Sequence, residues 1–273
     1  MPLVVLVGVG VGLLVAPGAQ PSRGSATGRA AGGSAHGQAA PAIAAQTRQL
    51  AALPAPAKGF AIPRPRLLKG SSDITKWAPV LRAIDAHERP SWSSPVVVPV
   101  STSTPEGTAN LVVADGEVTR DGVSWVHARL AVLPDGRTGW VPRSALGGWR
   151  FVDTRVVVDR ADLTLTLYRA GKVVFRTPVG VGKPSTPTPT GQFYVRDRLT
   201  SYASPEYGPL AFGTSARSEY ETDWPAGGFI GIHGTDQPQL IPGRISHGCI
   251  RLRNAAILKL GKLMPVGTPV TIR

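Results

Sequence analysis

Close to the C-terminus a nucleophile and two possible bases fall within a short stretch. Cys249 is the single cysteine of the 273-residue chain, and His233 and His247 are two of its five histidines. His233 stands sixteen residues before Cys249 and His247 two before it. A thiol with an ordinary pKa of about 8.5 is a weak nucleophile at neutral pH unless a neighbouring base or cation helps it ionise, and histidine is the usual helper. In an extended segment residues i and i+2 point to one side, so local spacing alone favours His247 as the helper. Gly234 and Gly248 allow positive φ or close backbone approach, and Ser246 adds a hydroxyl. Zinc would want three or four ligands; the stretch offers three with no clear fourth, so no metal is expected.

These residues lie in Ile232-His233-Gly234-Thr235 and Ser246-His247-Gly248-Cys249-Ile250-Arg251. Upstream stand Val179-Gly180-Val181-Gly182-Lys183 and Thr186-Pro187-Thr188-Pro189-Thr190-Gly191-Gln192-Phe193. Together, and in this order, the segments resemble the YkuD-type L,D-transpeptidase catalytic domain, over roughly residues 155–273. The resemblance implies a mostly β fold, a YkuD-like β-sandwich with short helices. It implies that Cys249 attacks a stem-peptide carbonyl and that His233, rather than His247, activates the thiol. His247 and Ser246 would orient the site, and backbone N–H groups around Gly248 and Cys249 would hold the oxyanion. Arg251 would bind an anionic substrate group, with Gly234 and Thr235 also on the substrate side. No metal and no cofactor is implied. The partners implied are peptidoglycan stem peptides, and β-lactams of the carbapenem type as acylating inhibitors. Relatives often carry an acidic residue soon after the position of Asn254; here Ala255 and Ala256 follow it.

Alternative readings are an L,D-carboxypeptidase or other cysteine wall peptidase, and a wall-binding protein without catalysis. Wall peptidases of the papain or NlpC kind place Cys before His, whereas both histidines here precede Cys249. The intact Cys249, His233 and His247 speak against a silent binder.

The elements that must position these groups can be sketched from pattern. Leu163–Tyr168 alternates in the strand manner, and 172–181 and 192–195 are β-prone. Asn254 suits a helix N-cap, with Ile257, Leu260 and Met264 on one face and Pro265 as the stop; 270–272 reads as a closing strand. Residues 71–149 hold short apolar runs at 96–100, 111–113, 124–132 and 139–141. Turn signals separate them at Pro105-Glu106-Gly107, Asp115-Gly116, Asp121-Gly122 and Pro134-Asp135-Gly136. Residues 77–87 read as a short helical or irregular lead-in. Trp125-Val126-His127-Ala128-Arg129-Leu130 and Thr138-Gly139-Trp140-Val141-Pro142 resemble a bacterial SH3-like β-barrel, with Trp125 and Trp140 read as core aromatics and His127 as a strand-surface residue.

The remainder is address and tether. Residues 2–17 are uncharged and apolar, of signal-peptide length and short for a membrane span, so a cleaved signal or an N-terminal membrane contact is expected. Residues 18–70 are Ala-, Gly- and Pro-rich and read as a flexible linker. Either reading of residues 2–17 implies export. The net charge is +13, with 23 Arg among the 30 basic residues. GC-rich coding explains such a bias, as does attraction to an anionic wall polymer. Nucleic acid is not expected, because no basic run is interleaved with aromatics.

Overall fold

The computed structural model describes residues 74–200, 204–221 and 228–273; the expected leader and the linker lie outside them. The chain divides into two compact units, Met1–Ala61 and Ile62–Arg273, and every described residue belongs to the second.

The first half of that unit is one seven-stranded sheet. Its strands are β1 (Thr75–Pro79), β2 (Ile84–His87), β3 (Val96–Val100), β4 (Leu111–Arg120), β5 (Val123–Arg129), β6 (Thr138–Pro142) and β7 (Arg150–Val152), in the order β3-β2-β6-β5-β4-β1-β7. The sequence pattern did not read 77–87 as strand. Tertiary pairing makes it so, because β1 is held between β4 and β7 and β2 between β3 and β6. Of the three Asp-Gly pairs, Asp135-Gly136 lies in the β5–β6 turn, and the other that turns the chain is Asp121-Gly122. Both its residues have positive φ (50° and 74°), the requirement of the tight hairpin turn joining β4 to β5. Asp115-Gly116 is instead a bulge within β4. Trp125 is fully buried, as expected; Trp140 is half-buried and stacks on His127 with ring centroids 4.7 Å apart. Strand β7, just past the division expected at residue 149, is hydrogen-bonded to β1.

The second half holds two five-stranded sheets. One has the order β10-β9-β8-β17-β12, built from β8 (Thr154–Asp159), β9 (Thr164–Arg169), β10 (Lys172–Pro178), β12 (Gly191–Tyr194) and β17 (Pro269–Ile272). The other has the order β13-β14-β16-β11-β15, from β11 (Gly180–Gly182), β13 (Ala211–Arg217), β14 (Phe229–His233), β15 (Gly243–Ser246) and β16 (Ile250–Arg251). Val156, Leu165, Leu167 and Ile272 from the first sheet and Val181, Phe212, Ile232 and Ile250 from the second share one core, closed by Ile257 and Leu260 of helix α1 (Asn254–Leu263) and by Met264 just after it. The result is mostly β with one α-helix among the described residues, and that helix is too short to cross a membrane. Asn254 is the first helical residue rather than the cap; Arg253 takes that place, without a side-chain cap bond.

Polar and apolar contacts join the two halves. Trp77, Leu111, Val113 and Val152 pack with Tyr194 of β12. A Cβ on Gly267 (φ +81°) would sit 2.4 Å from Trp77 Cδ1, so the residue there must be glycine. Asp135, in the β5–β6 loop, accepts the Arg217 N–H at 3.0 Å. Arg196 donates to both Glu106 oxygens at 2.7 and 2.8 Å and lies 3.4 Å from Asp197, with its guanidinium 3.6 Å from the Phe229 ring centroid. The Arg196 and Glu106 side chains are only 3% and 9% exposed. Burial pushes the Asp197 carboxyl up to about 6, against the pull of Arg196.

Deleting one partner of a buried ion cluster leaves uncompensated charge, at a cost of about 3–5 kcal/mol. Arg196→Ala is therefore expected to destabilise the fold by roughly that amount near pH 8 in urea unfolding. A carboxyl whose folded pKa is raised opposes folding increasingly as pH rises through that pKa. The loss should thus shrink near pH 5, where Asp197 carries a proton in the folded state. An equal loss at both pH values would show that shape, not charge, sets the cost.

Candidate active site

Strands β14 and β16 run parallel in the register Ile232↔Ile250 and His233↔Arg251. Successive side chains of a strand alternate in face. Ile230, Ile232, Ile250 and Leu252 therefore enter the core, where each is at most 1% exposed. The opposite face carries Gly231 and His233 from β14, with Cys249 and Arg251 beside them. This register sets Gly231 level with Cys249 and His233 level with Arg251, so His233 and Cys249, sixteen apart in sequence, become diagonal neighbours through one strand pairing.

Gly231 supplies the space. A Cβ there would lie 3.5 Å from His233 Cδ2 and 3.8 Å from Cys249 Sγ, so imidazole edge and sulfur flank the same gap. The Gly231 N–H points at Cys249 Sγ, 3.3 Å away. Behind the ring, His233 Nδ1 lies 2.6 Å from the Gly234 carbonyl oxygen. A carbonyl can only accept, so Nδ1 carries the hydrogen and Nε2 of the neutral ring keeps its lone pair. Tyr207 packs on the ring with centroids 4.7 Å apart.

Burial sets the protonation states. It is the main cause that lowers the His233 pKa to about 4, helped by the Arg251 charge and opposed by the bond to Gly234. It also pushes the Cys249 thiol up, against the Gly231 hydrogen bond and the Arg251 charge. The resting pair at neutral pH is thus neutral thiol and neutral imidazole, not a preformed ion pair. An arrangement of this kind can act as nucleophile and base only if the thiol passes its proton to Nε2 as sulfur attacks.

The predicted residues divide by position. Cys249, His233, His247, Ser246 and Arg251 all line one cleft with Tyr207, Phe229 and Ile230. His247 is exposed at its rim, whereas His233 is 2% exposed. Ser246 is fully buried; its Oγ accepts the Gly248 N–H at 3.1 Å and donates to the Cys249 carbonyl at 2.5 Å, closing the turn that presents the thiol. That first bond commits the Gly248 N–H inside the turn. Gly248 has φ +124°, a backbone conformation that would strain any other residue, and its Cβ position lies 2.9 Å from Ile230 Cδ1. Arg251 Nε is buried without a hydrogen-bond partner among the described residues.

Gly234 and Thr235 lie behind the imidazole rather than on the cleft wall. Thr235 is 1% exposed, and its N–H donates to Asn254 Oδ1 at 2.9 Å. A Cβ on Gly234 would sit 2.4 Å from that same oxygen and 3.0 Å from Gly208, so the glycine lets the segment bearing Tyr207 close over His233. The Asn254 side chain is thus spent on the histidine segment instead of on its own helix. Sequence reasoning missed Gly231 and Tyr207. The Gly231-Ile232-His233 spacing held the first signal, since residue i−2 shares a strand face; nothing local marks Tyr207. Among the described residues no group of three or more His, Cys, Asp or Glu could hold a metal ion.

The profile of the YkuD L,D-transpeptidase catalytic domain matches residues 153–272. A Bacillus licheniformis protein named as an L,D-transpeptidase, YkuD, is 31% identical over 171 residues, covering 62% of this chain and 94% of that relative. A Bacillus subtilis protein of the same name is 38% identical over 117 residues, covering 43% of this chain and 64% of the relative, less than two thirds of its length. Among solved structures, the catalytic domain of an E. faecium L,D-transpeptidase matches at 31% identity and a TM-score of 0.33, covering 44% of this chain and 97% of that one. The chain belongs to the L,D-transpeptidase family and carries its YkuD-type catalytic domain.

The two histidines can be told apart by pH. With His233 as base, acylation of Cys249 by a carbapenem should be flat from about pH 5 to about pH 8 and fall as the ring protonates on the acid side. His233→Ala should lose the plateau, its slow rate rising about tenfold per pH unit with the thiolate fraction. His247→Ala should keep the plateau at a lower height. The reverse pattern, read by mass spectrometry of the acylated protein, would transfer the role to His247.

Proposed function

We propose that this protein is a peptidoglycan L,D-transpeptidase that cross-links stem peptides through a thioester on Cys249. The observation that carries the reading is the placement of a neutral, Nδ1-anchored His233 beside Cys249 on one strand pair. Sulfur attacks the carbonyl of the diamino acid while the thiol proton passes to His233 Nε2. The tetrahedral oxyanion accepts backbone N–H bonds, then collapses. The C–N bond to the terminal D-residue breaks, and its amine leaves with the proton from His233. An amine of a second stem peptide attacks the thioester, His233 takes its proton, and an amide forms as the thiol is restored.

Two openings meet at the thiol's rim. The first is the cleft walled by Tyr207, Phe229 and Ile230; the second is more polar and is lined by Lys183, Asp236 and Gln237. Glu206, His247 and Arg251 line both. Acyl donor and amine acceptor would approach through one each, with Arg251 holding a substrate carboxylate. The strained amide of a carbapenem presents the same kind of carbonyl and would acylate Cys249. We place the protein outside the cytoplasmic membrane, where its substrate is. The N-terminal sheet, read as SH3-like, would brace the catalytic half or hold it to the wall, and the +13 charge would favour anionic wall polymers.

Incubation with a defined stem tetrapeptide fragment, followed by mass analysis, tests the reading. The expected product is a cross-linked dimer lighter than two substrates by one free D-amino acid; tripeptide alone would mean a hydrolase. Cys249→Ala should give neither product while unfolding at the same temperature, because the change is small and the thiol has no substitute. Comparable turnover by that variant would end the nucleophile assignment.

A further inference from the structure

The segment Thr186-Pro187-Thr188 has no part in the chemistry so far, yet it is built directly against the thiol's turn. Gly182 lets it lie on β11, since a Cβ there would sit 2.3 Å from Thr186 O and 2.5 Å from Thr188 N. Thr188 is 1% exposed. Its Oγ1 accepts the Gly182 N–H at 2.9 Å and donates to the Gly248 carbonyl at 2.7 Å. Its own carbonyl accepts from Arg160 Nη1 at 2.6 Å. The hydroxyl is thereby fixed in direction: one neighbour can only donate to it and the other can only accept from it.

Gly248 and Cys249 share one peptide unit. In a trans peptide the C=O and the following N–H point in opposite directions, and this bond is not among the cis bonds of the chain. A carbonyl held inward by buried Thr188 therefore turns the Cys249 N–H outward, toward the cleft that Cys249 lines. Glycine at 248 leaves the rotation of that unit weakly restrained by local sterics, so a side-chain tie decides it. The other polar groups of the turn are already committed: the Gly248 N–H and the Cys249 carbonyl are both bonded to Ser246 Oγ.

We propose that Thr188 is a positioning residue whose hydroxyl locks the Gly248–Cys249 peptide so that the Cys249 N–H receives the oxyanion of the acyl-transfer step. The inference rests on the transpeptidase reading above and deepens it. As the S–C bond forms, the carbonyl π pair moves onto oxygen and the Cys249 N–H donates a hydrogen bond to it. Thr188 touches no reacting atom and exchanges no proton with substrate.

Two reactions of the same thiol separate this role from simple support. Acylation by a carbapenem builds an oxyanion; alkylation by iodoacetamide displaces iodide and builds none. Thr188→Val keeps the shape and removes the hydroxyl. It is expected to slow acylation by about 10²-fold, the scale of losing one oxyanion donor, while leaving alkylation unchanged. Thr188→Ser should restore acylation to near the wild-type rate. If Thr188→Val does not melt cooperatively, Thr188→Ala replaces it under the same criteria. Equal slowing of both reactions would make Thr188 a structural residue only, and unchanged acylation would remove it from the site; either overturns the inference alone. A wild-type thiol that is alkylated but never acylated would overturn the transpeptidase reading, and the inference with it.

Discussion

The parallel pairing of β14 with β16 is the constraint on which the site depends. Its register sets Ile232 opposite Ile250 and leaves positions 231, 233, 249 and 251 on the far face. A slip of β16 by one residue would send Cys249 into the core and Ile250 into the cleft, away from His233. Hydrophobic burial therefore fixes the chemistry. The same apolar side chains that hold the two sheets together decide that thiol and imidazole meet.

Around that pairing, close backbone approach does what side chains do elsewhere. Gly231 opens the gap between sulfur and ring, Gly248 permits the turn that presents the thiol, and Gly234 lets the Tyr207 segment cover the histidine. Hydrogen bonds then remove the freedom that glycines leave. Ser246 closes the Cys249 turn, Asn254 anchors the segment after His233, and the Gly234 carbonyl selects the imidazole tautomer. Burial costs the site its ion pair but leaves an imidazole that stays unprotonated at neutral pH.

The N-terminal sheet reaches the cleft by contact with β13 and β14. Asp135 caps the end of β13 at Arg217, and Glu106 holds Arg196 against Phe229, the first residue of the strand that bears His233. Charged groups in such a place are costly to desolvate, as the raised Asp135 and Asp197 carboxyls (each up to about 6) record. They hold the halves in one register rather than adding much stability.

Cys249, both histidines of the cleft and the strand-rich character of the chain were legible in the sequence, because residue type, spacing and period-two alternation are local signals. Local signals also found the Asp121-Gly122 turn and the buried face of α1. They failed at residues 77–87, which become strands only between partners far along the chain, and at Asp115-Gly116, where continued pairing with β5 turns a hairpin signal into a bulge. Spacing alone pointed to His247, which the fold leaves exposed at the rim, while the buried ring beside the thiol comes from another strand. The amino-acid sequence by itself determined which groups are available for catalysis. Only the tertiary structure decided which of them meet, which are desolvated and which way their hydrogens point, because those properties belong to strand register and burial, and both are set by residues distant in the chain.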